Sequence, residues 1–92
     1  MTRRAARVKA LQALYEIEVG GSDLTNAFEH SIKKTEGRKD SLTFAKTLLT
    51  GAWERREVSD RLISKYTRDW NIERLAVIDR NILRIAVFEM TE

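Results

Sequence analysis

The sequence predicts an all-α fold, on three observations: it contains no proline, it has only four glycines, and its apolar residues recur at helical rather than alternating spacing. Folds rich in β-structure need many turns, and turns draw on glycine and proline. The dominant residues are Leu, Ala, Glu, Lys and Arg, all strong helix formers. At 92 residues there is room for one domain, near the lower limit at which a core sustains itself. Hydrophobic residues make up 42% and charged residues 34%, a globular balance rather than a disordered one.

The first helix is expected from about Ala5 to Val19, stopped by Gly20-Gly21, where glycine supplies a left-handed exit. Ala6, Ala10, Leu14 and Ile17 form one apolar stripe; Arg4, Val8, Leu11 and Tyr15 form a second, with Arg7 beside Leu11. Ser22 or Asp23 suits the N-cap of a short second helix, Leu24 to Lys33, whose apolar members are Leu24, Ala27, Phe28 and Ile32. The polar stretch Thr35 to Asp40, with Gly37, reads as a loop. A third helix starts near Ser41 and carries Leu42, Ala45, Leu48, Leu49 and Ala52. It either continues through Val58, Leu62 and Ile63 to Tyr66 or breaks near Arg56. The last segment, Ile72 to Thr91, is apolar nearly all round, the pattern of a helix covered on several sides. With so few helices to cover it, the chain is expected either to be unstable or to cover Leu83, Val87, Phe88 and Met90 by self-association or against a neighbouring chain.

Catalytic chemistry finds little to work with. There is no cysteine, so disulfides, thiolate metal sites and thiol nucleophiles are excluded. His30 is the single histidine, which reads as a surface or partly packed residue rather than a ligand. Gly20-Gly21 lacks the lysine and spacing of a phosphate loop. The acid pairs Glu16/Glu18 and Glu54/Glu57 have no histidine beside them and no sign of burial. No enzyme, no metal and no cofactor is expected. No apolar run approaches a membrane span, and Met1-Thr2-Arg3-Arg4 is not followed by a signal-type apolar stretch, so a cytoplasmic protein is expected.

The net charge of +3, with a pI near 9.5, is unevenly distributed. Arg3, Arg4, Arg7 and Lys9 all precede the first acid, Glu16, whereas the second basic knot, Lys33-Lys34 and Arg38-Lys39, is diluted by Glu36 and Asp40. Arginine forks match phosphate oxygens, and an aromatic such as Tyr15 can stack on an unpaired base. The same block also reads as a solvated helix start with Tyr15 half buried. Arginine at a helix N-terminus opposes the macrodipole, however, so its placement asks for a reason.

The string Trp70-Asn71-Ile72-Glu73-Arg74-Leu75-Ala76-Val77-Ile78-Asp79-Arg80-Asn81-Ile82-Leu83-Arg84-Ile85-Ala86-Val87-Phe88-Glu89-Met90 closely resembles a segment of the NusB family. Arg3-Arg4-Ala5-Ala6-Arg7 followed by Leu11-Gln12-Ala13-Leu14-Tyr15 is similar to the family's opening pattern. Phe44 to Gly51 and Asp60 to Tyr66 fall where the family has its third-helix patterns. The resemblance implies a NusB-like all-α helical bundle lacking its C-terminal helices, because nothing here matches the family's later F-V-N-G-[VI]-L pattern. It implies one domain, 1–92, with 1–66 as the N-terminal helices and 72–91 as the first helix of the C-terminal half.

The family's activity is bacterial transcription antitermination, notably on ribosomal RNA operons. The resemblance therefore implies binding to single-stranded boxA RNA together with ribosomal protein NusE, and through that pair to the RNA polymerase elongation complex. Carried over by position, Arg3, Arg4, Arg7, Gln12 and Tyr15 would face RNA, with Tyr66 and Arg84 as further contacts. Asp79 and its neighbour Arg80 fall where the family meets its protein partner. Two other readings stay open: the related RNA-binding domain of a ribosomal RNA cytosine methyltransferase, and a helical module that binds only protein.

Overall fold

The computed structural model describes residues 2–33, 39–66 and 76–91. Helix α1 spans Arg3–Glu18, α2 Leu24–Phe28, α3 Lys39–Glu54, α4 Arg56–Tyr66 and α5 Val77–Thr91; a π turn, Glu29–Lys33, extends α2. The all-helical bundle expected from the sequence is what the chain forms.

Each boundary has a local cause. Thr2 caps α1, its Oγ1 accepting from the Ala5 N–H at 3.0 Å, so the helix begins two residues before the sequence suggests and takes Arg3 and Arg4 into its first turn. Its end is set by Gly21, at φ +73, which turns the chain so that the Ser22 N–H reaches Glu16 O at 3.2 Å. Asp23 caps α2 by accepting from the Asn26 N–H at 2.7 Å.

Between α3 and α4 the helix breaks at Arg55, which settles the choice the sequence left open. Arg56 seals the break: its guanidinium donates to the Trp53 carbonyl at 2.7 Å and lies 3.8 Å from the indole centroid. A cation on a terminal carbonyl complements the helix dipole as well as the ring. The break also turns the register of α4. Ser59 and Ile63 are buried, whereas Val58 and Leu62 are exposed.

The core sits between α1, α3 and α5. Alanines 6, 10 and 13 on α1 and alanines 45 and 52 on α3 are fully buried, which lets these two backbones approach closely. Leu14, Ile17, Leu48, Leu49, Ile32 and Ile85 fill the space between, with Leu11, Phe28, Phe44, Trp53 and Phe88 half-buried around it.

Helix α5 has less cover than the several sides its apolar pattern suggests. Its buried residues are Asn81, Arg84 and Ile85, while Leu83, Val87 and Phe88 are half-buried and Ile78, Ile82 and Met90 are exposed. The reason is electrostatic: carboxylates on α1 and α4 hold the polar members of α5 inside.

Candidate nucleic-acid interface

Helix α1 turns its alanine face inward and its basic, aromatic face outward. Arg3, Arg4, Arg7, Gln12 and Tyr15 are all exposed, Tyr15 to 44%. Arg4, Val8, Gln12 and Tyr15 share one outer stripe. Arg3 and Arg7 lie toward α3 and α5: the Arg3 guanidinium stands 4.4 Å from the Phe44 ring centroid and that of Arg7 5.9 Å. Arg7 also donates through Nε to Glu89 at 2.8 Å. Among the described residues, neither Arg3 nor Arg4 has a carboxylate partner, so their charge is available to a phosphate. Thr2 holds them in the first helical turn despite the unfavourable dipole.

On the other flank of α1 an open cleft of about 670 Å³ is lined by Lys9, Gln12, Tyr15, Glu16, His30 and Ile78, among others. His30 pairs through Nδ1 with Glu16 at 3.3 Å, a surface contact that fits its sequence reading. A cation, an amide and an exposed phenol ring thus line one groove. Among the described residues there is no cluster of three metal-ligating side chains, and no helix is long and apolar enough to cross a membrane.

Arg84 stands apart from this face. Its side chain is buried, and it donates to Asp60 twice, Nε to Oδ1 at 2.8 Å and Nη2 to Oδ2 at 2.7 Å. Nη1 donates to Asn81 Oδ1 at 3.0 Å and to Glu18. Burial works against its charge, but the hydrogen bond and charge of Asp60, and then those of Glu18, outweigh that cost and raise its pKa. The guanidinium thereby ties α5 to α4 and α1. Arg80 joins the same node through Glu18 Oε2 at 2.5 Å. Its neighbour Asp79 points outward, exposed in the first turn of α5. Tyr66 ends α4, and its side chain lies outside the described residues, as does the stretch 67–75 that opens the α5 motif.

Residues 4–92 match the NusB family. The chain belongs to the NusB family. It is 44% identical to the transcription antitermination protein NusB of Symbiobacterium thermophilum, over 98% of this chain and 64% of that protein. Identity to the Bacillus subtilis protein of the same name is 41%, over 98% of this chain and 66% of the relative. The chain spans a little less than two thirds of these relatives' length. It is also similar, at a TM-score of 0.85 and 33% identity, to a chain in a solved structure described as a crystal structure of a plectonemic RNA supercoil, covering 98% of this chain and 67% of that one.

Sequence reasoning overlooked two features of this NusB-family chain. One is Phe44, the ring beneath Arg3 and Arg7, whose signal is only its place in the third-helix pattern. The other is the Glu18–Arg80–Arg84–Asp60 node. Its signal was visible: two arginines spaced i, i+4 in a largely apolar helix are neighbours that need partners.

Proposed function

We propose that this chain carries the RNA-binding face of a transcription antitermination factor. Its target is single-stranded RNA of the boxA type, bound together with ribosomal protein NusE, and the pair joins the elongating polymerase in the cytoplasm. The observation that carries this reading is the exposed row on α1: Arg3 and Arg4 without carboxylate partners among the described residues, Arg7 alongside, and Gln12 and Tyr15 further along the helix. Arginine supplies phosphate contacts, and an exposed aromatic supplies a stacking surface. The relatives are named as antitermination proteins, which favours this reading over a methyltransferase domain, and the description of the similar solved structure includes RNA. Arg84 is left out of the RNA face because its guanidinium is occupied in the core. The factor is a binding adaptor, not an enzyme. Asp79, exposed beside the anchored Arg80, is the proposed contact with the protein partner.

Salt titration of RNA binding tests the reading. Each phosphate contact to single-stranded RNA contributes about −0.7 to the slope of log affinity against log salt. Replacing Arg3, Arg4 and Arg7 together with alanine should weaken binding and flatten that slope by roughly 1 to 2 units, less than three full contacts because Arg7 already pairs with Glu89. An unchanged slope and affinity would remove α1 from the RNA site.

A further inference from the structure

We infer that the Phe44 ring is a base-stacking site, in which an unpaired RNA base takes the place of the Arg3 guanidinium; this rests on the RNA reading above. Phe44 is half-buried, its inner side packed on the core, while Arg3 covers it at 4.4 Å from the centroid. The ring is a shared wall of two openings. One, of about 360 Å³, is lined by Arg3, Arg7, Phe44, Thr47, Phe88 and Glu89, with Leu48 at its base. The other, of about 100 Å³, is lined by Thr2, Arg3, Asp40, Ser41 and Phe44.

The chemistry suits a nucleobase better than a bare phosphate. A phosphate would use the arginines and leave the ring and the apolar wall idle, whereas a base fills the space over the ring. Stacking of a base on an aromatic ring is worth more than an exposed cation–π contact, so the exchange is favourable. Arg3 is exposed and has no carboxylate partner among the described residues, so once displaced it can turn to the phosphate next to the stacked base. Thr47 and Glu89 supply a hydroxyl and a carboxylate at the edge of the opening, groups that accept hydrogen bonds from a base's exocyclic amine. The RNA track then leaves α1 and crosses onto α3, rather than following α1 alone.

The test scans single abasic sites along a boxA-type single-stranded RNA, using the whole chain. With the unaltered protein, one position should lose roughly 5- to 100-fold in affinity on removal of its base, the loss expected of one stacked base. Phe44→Leu, which keeps apolar bulk against the core, should lose a similar factor on intact RNA and nothing further at that abasic position. Phe44→Tyr should restore binding. An abasic scan without a sensitive position overturns the inference without recourse to any variant. So does a Phe44→Leu penalty that simply adds to that of every abasic site, the mark of a structural defect. If the unaltered chain binds the RNA with the arginine-dependent salt slope but shows either of these results, only the Phe44 assignment falls. If it binds no single-stranded RNA, the underlying reading falls with it.

Discussion

Gly51 on α3 and Phe88 on α5 meet so closely that no side chain fits between them: a Cβ built on Gly51 would lie 2.1 Å from Cε1 of the Phe88 ring. Glycine in mid-helix ordinarily costs about 1 kcal/mol relative to alanine, so its presence here needs a compensating contact. The seating of Phe88 against α3 is that contact.

Gly51→Ala should therefore destabilise the chain, although alanine is the better helix former. Overpacking costs about 1 to 3 kcal/mol, against a propensity gain of about 1, which leaves a net loss of up to about 2 kcal/mol in urea unfolding. Gly51→Ala combined with Phe88→Leu should lose less than the sum of the two single changes. Strict additivity would show that the two residues are not coupled.

Arg84→Met removes the shared donor of Asp60 and Glu18: Asp60, only 26% exposed, loses both of its bonds to the guanidinium, while Glu18 keeps Arg80. A loss of about 3 kcal/mol is expected, at the low end for a broken buried pair because Asp60 keeps some solvent. Arg84→Lys should recover little, since an ammonium cannot reproduce the two parallel bonds to Asp60. The pH dependence has a definite sign. A raised pKa means that the contribution of Arg84 is fully present below its ordinary value and is lost only as pH rises through the raised one. The difference between native and Arg84→Met proteins, followed by denaturation across neutral to mildly alkaline pH, should show no loss arising from Arg84 itself.

Asp79→Lys separates the two proposed surfaces. The side chain is exposed, so the fold should lose about 0.5 to 1 kcal/mol at most, from placing a cation in the first turn of α5. If Asp79 is the partner contact proposed above, affinity for ribosomal protein NusE should fall several-fold or more, because the reversed charge would be repelled or left unpaired there. RNA binding by the chain alone should change much less. Capture of the partner at native strength would take Asp79 out of that interface.

Periodicity was enough to read the helices, the alanine-lined inner face of α1 and the outward arginines with Tyr15, because these depend on neighbours three and four residues apart in one chain segment. The glycine stop and the Asp23 cap were legible for the same reason. What the residues could not show was which side of α5 would be wet. Its apolar pattern is nearly uniform, and the choice fell to Glu18 and Asp60, distant in sequence, whose charges draw Arg84 and Arg80 inward and leave Ile78 and Ile82 outside. The pairing of Arg3 with Phe44 was likewise decided by tertiary contacts. A sequence carries its local periods in plain view, but an ion pair between separate helices exists only once packing has brought its members together and excluded the water that would otherwise solvate each alone.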